Sequence, residues 1–215
     1  MYGIACRGLL FDSDGVLVDS DASVVLSWSR WARERGLDPE QVMEVVHGRR
    51  SADTVGVLIG SAERAAALEA IDRYEVEDAA TVAALPGAAE LLGSLALGAW
   101  AVVTSGRRPL ATARLAAAGL PVPAVLVTAD DVPAGKPDPA GYVAAAEALG
   151  LAPGECVVLE DSSAGVAAAR AAGTVVLGVS ERALATDAHV VVRDLRGLRW
   201  DGARLTIPDD ALLRG

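Results

Sequence analysis

Near its start the chain carries an apolar run, Gly8 to Phe11, the end of a strand predicted over Cys6 to Phe11, cut off by two acids, Asp12 and Asp14, around Ser13, with Gly15 next. A short run with no alternation fits a strand buried on both faces of a parallel sheet. From about Asp19 to Leu85 the texture changes, and apolar residues recur at helical spacing. One helix is predicted over 22–35, with Val24, Val25, Trp28, Trp31 and Ala32 on one face and Gly36 as its stop. Asp38-Pro39-Glu40-Gln41 starts a second, which carries Val42, Val45 and Val46 and ends at His47-Gly48. Ser51 heads a third through Val57 and Leu58, and Ser61 a fourth through Leu68, Ile71 and Tyr74.

After Pro86 short apolar runs alternate with helical segments. Strands are predicted over 99–104, 124–128, 156–159, 174–179 and 189–192, and helices over 88–97, 107–118 and 140–149 and from Ser162 or Ser163 to Gly173. The weakly patterned tail beyond Gly197 predicts a hairpin at the sheet edge, with Asp201-Gly202 as its turn. Strands alternating with helices imply an α/β fold, a doubly wound, Rossmann-like parallel sheet with helices on both faces. Residues 1–17 and 87–215 form its core, and 18–86 form a helical insert.

Composition narrows the class. A chain of 215 residues that is 52% hydrophobic can bury a substantial core. No apolar run approaches the length of a membrane span, and no basic segment leads into a long apolar region as in a secretory leader. The net charge of −10 argues against nucleic acid or an anionic membrane as partner, though not against one small anion held locally. Cys6 and Cys156 sit in strand-like runs and read as reduced core thiols of a cytoplasmic protein. A monomer or weak dimer is expected.

Four predicted strand ends carry polar groups. Asp12 and Asp14 repel each other unless a cation or a shared proton lies between them, so the pair suits a hard metal such as Mg²⁺ and offers a nucleophile beside an acid/base. Alternation would turn both side chains the same way. A solvated Asp-x-Asp-Gly turn accounts for the same four residues. Thr104-Ser105-Gly106 is an anion site at a helix start, or an ordinary helix cap. Among the basic residues only Lys136 is a lysine. It stands in Gly135-Lys136-Pro137, a loop suited to a phosphate oxygen, although a solvated lysine fits there too. Glu160-Asp161 is a second acidic pair, or a helix cap with dipole complement. In a doubly wound sheet these ends converge on one crevice, and together they describe a phosphate-monoester site.

FDSDGVLVDS, VVTSG, GKPDP and VLEDSSAGVAAARAAG, in this order, resemble the four motifs of the haloacid dehalogenase-like phosphohydrolases over nearly the whole chain, and the helical insert resembles that superfamily's cap of the first type. HGRRS, AWAVVTSGRRPLA and TADDVPAGKPDP are similar to the sugar- and polyol-phosphate phosphatases related to glycerol-1-phosphatase and 2-deoxyglucose-6-phosphatase. The resemblance implies that Asp12 is the nucleophile and Asp14 the acid/base. It implies that Asp12, the Asp14 backbone carbonyl and Asp161 hold Mg²⁺, with Glu160 bound to the metal or just behind it. Thr104, Ser105, Gly106 and Lys136 would bind phosphate, and His47, Arg49 and Arg50 of the cap would meet the substrate, with Arg50 at the family's arginine position. A basic helix end explains that loop equally well. A β-phosphoglucomutase-like mutase would carry a histidine near Val24, and a phosphonatase would carry a cap lysine; this chain has neither. A non-catalytic member that binds a phosphorylated ligand is the remaining alternative.

Overall fold

The computed structural model describes every residue except His47, so the role expected of His47 lies outside the described residues. The chain begins with two strands where one was expected. β1 (Tyr2–Ala5) and β2 (Gly8–Phe11) are separated by a bend at Cys6 and Arg7, whose amides bond the carbonyls of Ala203 and Glu155. After β2 come β3 (Val18–Asp19) and four helices, α1 (Asp21–Glu34), α2 (Pro39–Val46), α3 (Ser51–Leu58) and α4 (Arg64–Asp78). β4 (Ala83–Ala84) then pairs antiparallel with β3, so the helical segment leaves and rejoins the rest through one two-stranded neck. The remainder runs α5 (Ala88–Ser94), β5 (Trp100–Val103), α6 (Arg108–Ala117), β6 (Val125–Val127), α7 (Ala140–Ala148), β7 (Cys156–Glu160), α8 (Ser163–Ala171), β8 (Val175–Val179), β9 (Val190–Val192), β10 (Arg199–Trp200), β11 (Arg204–Ile207) and β12 (Leu212–Arg214).

The main sheet has the order β12-β9-β8-β7-β2-β5-β6. Its pairings are parallel except that of β12, which runs antiparallel along β9. From β2 the chain fills β5 and β6 on one side, then crosses to β7, β8 and β9 on the other. The carboxyl end of β2 is therefore a topological switch point, where open α/β sheets bind ligands.

Alternation along β2 divides its side chains between two cores. Leu9 and Phe11 pack with Leu91, Leu92, Ala111 and Leu115 of α5 and α6. Leu10 packs with Tyr142, Ala145, Val166 and Ala169 of α7 and α8. Helices thus cover both faces, and the chain adopts the doubly wound α/β fold with an inserted helical cap. The cap has its own cluster around Trp28, Trp31, Val42, Ile71 and Tyr74. None of the helices among the described residues is long and apolar enough to cross a membrane.

Several expected details change. Val25, expected on the buried face of α1, is 46% exposed. Ser23 and Ser27 are buried instead. Their hydroxyls donate to the carbonyls of Ser20 and Ser23 at 3.2 and 2.9 Å, which satisfies them inside the cap. Ser61 does not cap α4, which starts at Arg64. The expected tail hairpin does turn at Asp201-Gly202, where the Asp201 carboxylate accepts from the amides of Ala203 and Arg204. It pairs with β1 in a separate three-stranded sheet, however, and β12 covers the main sheet's edge.

Candidate active site

β2 ends at Phe11 and delivers Asp12 to the switch point. The chain turns at once. The amides of Leu17 and Val18 bond the Ser13 carbonyl at 2.9 and 3.0 Å, and the Gly15 amide bonds the Val18 carbonyl at 2.9 Å. Strand alternation therefore does not extend to Asp14, although Asp14 lines the same cavity as Asp12. Gly15 has φ +80°, and a Cβ there would run into the Asp161 carboxylate, so this close approach requires glycine.

The centre of the site is Lys136, from the loop after β6. Its ammonium donates to Asp12 Oδ1 at 2.7 Å and to Glu160 Oε1 at 2.6 Å, and lies 5.3 Å from the Tyr142 ring centroid. Glu160, the last residue of β7, is fully buried. Its Oε1 also accepts from Tyr142 at 3.1 Å, and its Oε2 accepts from the Ser162 amide and hydroxyl at 2.8 and 3.1 Å. A Cβ at Gly165 would collide with this carboxylate. Both Glu160 oxygens are thus engaged, and the residue anchors Lys136. Ser162 also caps α8 by accepting from the Gly165 amide at 3.1 Å.

Asp12, Glu160 and Asp161 bring carboxylate oxygens within 4.8 Å of one another. Burial pushes the Asp12 carboxyl well up; Lys136 opposes this, while Glu160 and Asp161 push further. Burial, then Glu160, raise Asp161 to about 7, against Arg182 and Lys136. Burial disfavours the Lys136 ammonium, but Asp12 and Glu160 outweigh it and hold its pKa well above the usual range. One buried lysine faces three buried acids. Arg182 adds a 3.0 Å contact to Asp161 from a half-exposed position. Crowded hard oxygen donors of this kind fit a divalent cation such as Mg²⁺. The Asp14 side chain lies outside the three-carboxylate group. Its Oδ1 accepts from Arg114 at 2.9 Å, and the metal role expected of Asp14 falls to its backbone carbonyl.

On the anion side, Ser105 and Gly106 line the cavity with Asp12, Asp14, Lys136 and Asp161. Thr104 lines an adjoining pocket that shares Ser105 and Lys136, and its hydroxyl accepts from the Gly106 amide at 3.1 Å. The Ser105 hydroxyl donates to the Gly48 carbonyl at 3.2 Å, joining core to cap.

The cap covers a cavity of about 110 Å³. Arg49 lines it, and Arg50 lines the adjoining pocket with Thr104, Ser105 and Lys136. Asp53, three residues on, captures the Arg50 guanidinium at 2.8 and 3.0 Å, and Arg50 Nη1 donates to the Pro133 carbonyl at 3.2 Å. Arg50 is a strap between the cap and the loop that carries Lys136. Val24 also lines the cavity, with no titratable group to offer.

Sequence reasoning missed Arg114, Glu75, Arg182 and Tyr142. Arg114 shares the buried face of α6 with Leu110, Ala111 and Leu115, and Glu75 that of α4 with Ile71 and Tyr74. A charge at an apolar helical position was the available signal. Burial raises the Glu75 carboxyl, while Arg114 and Ser51 hold it down.

Known proteins resemble this chain. A family model described as haloacid dehalogenase-like hydrolase matches residues 6–173. Hexitol phosphatase A of Escherichia coli (strain K12) is 45% identical over 180 residues, covering 81% of this chain and 83% of that protein. Validoxylamine A 7'-phosphate phosphatase of Streptomyces hygroscopicus subsp. limoneus is 36% identical, covering 93% of this chain and 97% of that protein. Among solved structures, a hydrolase from Pseudomonas syringae superposes with a TM-score of 0.77 at 28% identity, covering 88% of this chain and 94% of that one.

Proposed function

The chain belongs to the haloacid dehalogenase-like hydrolase family and is a phosphatase of it, and from that premise we propose that it hydrolyses a small sugar or polyol phosphate through a phosphoryl group carried on Asp12, with Mg²⁺ as cofactor. The observation that carries this reading is the convergence of Asp12, Asp14, Lys136 and Asp161 on one cavity under a cap.

An Asp12 carboxylate oxygen bonds to phosphorus as the bond from phosphorus to the ester oxygen breaks. The Asp14 carboxyl gives its proton to the departing alkoxide, then takes one from the water that attacks phosphorus and frees Asp12 and inorganic phosphate. Lys136 orients Asp12 and opposes the burial that pushes its carboxyl up, and stands ready as a donor to the transferring group. Ser105 and Gly106 supply the opposite wall, and Thr104 holds Gly106 in place through its amide. Catalysis of this kind is mostly positioning and electrostatics. Asp12, Asp161 and the Asp14 carbonyl would hold Mg²⁺, with Glu160 at or just behind the ligand sphere, and the ion would offset charge on the phosphoryl oxygens.

The names of the two phosphatase relatives, one for a hexitol and one for validoxylamine A 7'-phosphate, support a polyhydroxylated substrate. A mutase would need a proton relay in the first cap helix, and Val24 lines the cavity there. The test is phosphate release from a panel of sugar, polyol and nucleotide monophosphates, with Mg²⁺ and with chelator. Mg²⁺-dependent release peaking on one sugar or polyol phosphate is the expected result. Release that is undiminished in chelator, or confined to nucleotides, would overturn the reading.

A further inference from the structure

Arg114 from the core and Glu75 from the cap approach each other in the wall of the cavity. The phosphoryl chemistry above assigns neither a role. Arg114 is 3% exposed and Glu75 is 5% exposed, and both line the cavity. Arg114 Nη1 donates to Asp14 Oδ1 at 2.9 Å. Its Nε and Nη2 have no hydrogen-bond partner among the described residues. Nη2 stands 3.6 Å from Glu75 Oε1, beyond hydrogen-bond length. Glu75 Oε2 accepts from Ser51 at 2.9 Å, while Oε1 has only a long contact of 3.3 Å from Trp28 Nε1. Buried guanidinium donors are normally all satisfied, so unused ones on a side chain that lines a cavity mark where an acceptor belongs.

The pair is selective about what that acceptor is. An ammonium would suit Glu75 but be repelled by Arg114. A carboxylate or phosphate would suit Arg114 but be repelled by Glu75. A hydroxyl accepts from Nη2 and donates to Oε1 at once. Its place relative to the reaction follows from Arg114's other contact. Nη1 holds Asp14, which addresses the ester oxygen, so Nη2 reaches the oxygen on the adjacent carbon. We propose that Glu75 and Arg114 form a clamp for the hydroxyl vicinal to the phosphate ester, which makes 2-hydroxyalkyl phosphates the substrate class.

The proposal rests on the phosphatase reading, and one set of assays separates the two. The kcat/KM of the wild type is measured on p-nitrophenyl phosphate and on two matched pairs: glycerol 1-phosphate against 1,3-propanediol monophosphate, and glucitol 6-phosphate against its 5-deoxy analogue. Loss of the vicinal hydroxyl should lower kcat/KM by about 100-fold or more in the pair with the better substrate, because the buried clamp is then left unsatisfied. Glu75→Leu should shrink that ratio at least tenfold, and Glu75→Gln, which keeps the shape if the first variant fails to fold, by a smaller factor. Equal turnover within both pairs, or a ratio that folded variants leave unchanged, would overturn the clamp. A Glu75 that only supported the cap would lower both members of a pair alike. No release from any ester, p-nitrophenyl phosphate included, would instead overturn the phosphatase reading beneath it.

Discussion

The two walls of the cavity are built on different terms. On the core wall, Asp12, Glu160, Asp161 and the Lys136 side chain are buried, and Lys136 and Glu160 each make more than one charged or polar contact. On the cap wall the links to the core include Ser105 to the Gly48 carbonyl, Arg50 to the Pro133 carbonyl, Arg107 to Asp72 at 2.8 Å, Arg182 to Asp21 at 2.7 Å, and the Arg114–Glu75 approach. The core wall is over-determined, as groups that must hold a reacting phosphorus need to be. The cap wall touches the core through polar contacts that water can replace, which suits a lid that opens for substrate and product.

The strongest way to break this comparison is at Asp12. Asp12→Asn should lower phosphate release more than about 1,000-fold on every ester while far-ultraviolet dichroism stays unchanged, the scale seen when a nucleophile is removed. A residual rate near that of the wild type would displace the nucleophile from the core wall. Next is Lys136→Ala, which strips Asp12 and Glu160 of their shared buried cation. Breaking a buried ion pair from one side destabilises by about 3–5 kcal/mol, readable in chemical denaturation. Activity should fall at least about 100-fold in the same variant.

A pH series sharpens the account of the acidic cluster. Asp161 holds its proton up to about 7 in the folded protein, against an ordinary 3.8. Between those values the folded state binds more protons than the unfolded one, so metal-free stability should fall as pH rises through that window and level off above 7. The fall attributable to Asp161 is at most about 4 kcal/mol. Mg²⁺ competes with that proton, so its effect on the melting temperature should grow from pH 5 to pH 8. A thermal shift independent of pH would mean that Asp161 does not ligate the ion.

The smallest effects separate the two cap arginines. Arg49→Ala should raise KM about tenfold for the preferred sugar or polyol phosphate, the size of one charge-assisted hydrogen bond, and should raise it less for p-nitrophenyl phosphate. Arg50→Ala loosens the strap and should lower kcat/KM by one common factor of about threefold across substrates, the scale of a partly exposed contact. The opposite pattern would return Arg50 to the substrate.

Much of the core was legible because its signals are local. A buried parallel strand reads as an unbroken apolar run, and each run here ends in the polar residue it delivers: Asp12, Thr104, Glu160. The single lysine among eighteen arginines pointed to Lys136. The cap was legible only as helices. Val25 and Val24 follow the same apolar pattern along α1, yet Val25 faces solvent and Val24 the cavity, because which stripe of a helix is buried depends on what packs against it. Arg49 and Arg50 are identical neighbours in sequence, and Asp53 decides which of them is free to face a ligand.

By itself the sequence determined the order of the strands and helices, the doubly wound class, and the acids and lysine at the strand ends, since hydrophobic periodicity and turn chemistry act over a few residues. Only the tertiary structure decided what those groups do to one another. It put Lys136 between Asp12 and Glu160, which are 124 and 24 residues away. It turned Asp14 toward an arginine 100 residues away, and it brought Glu75 of the cap opposite that same guanidinium. Such contacts join positions that no local pattern relates, and electrostatic coupling in a buried site depends on distance in space rather than along the chain.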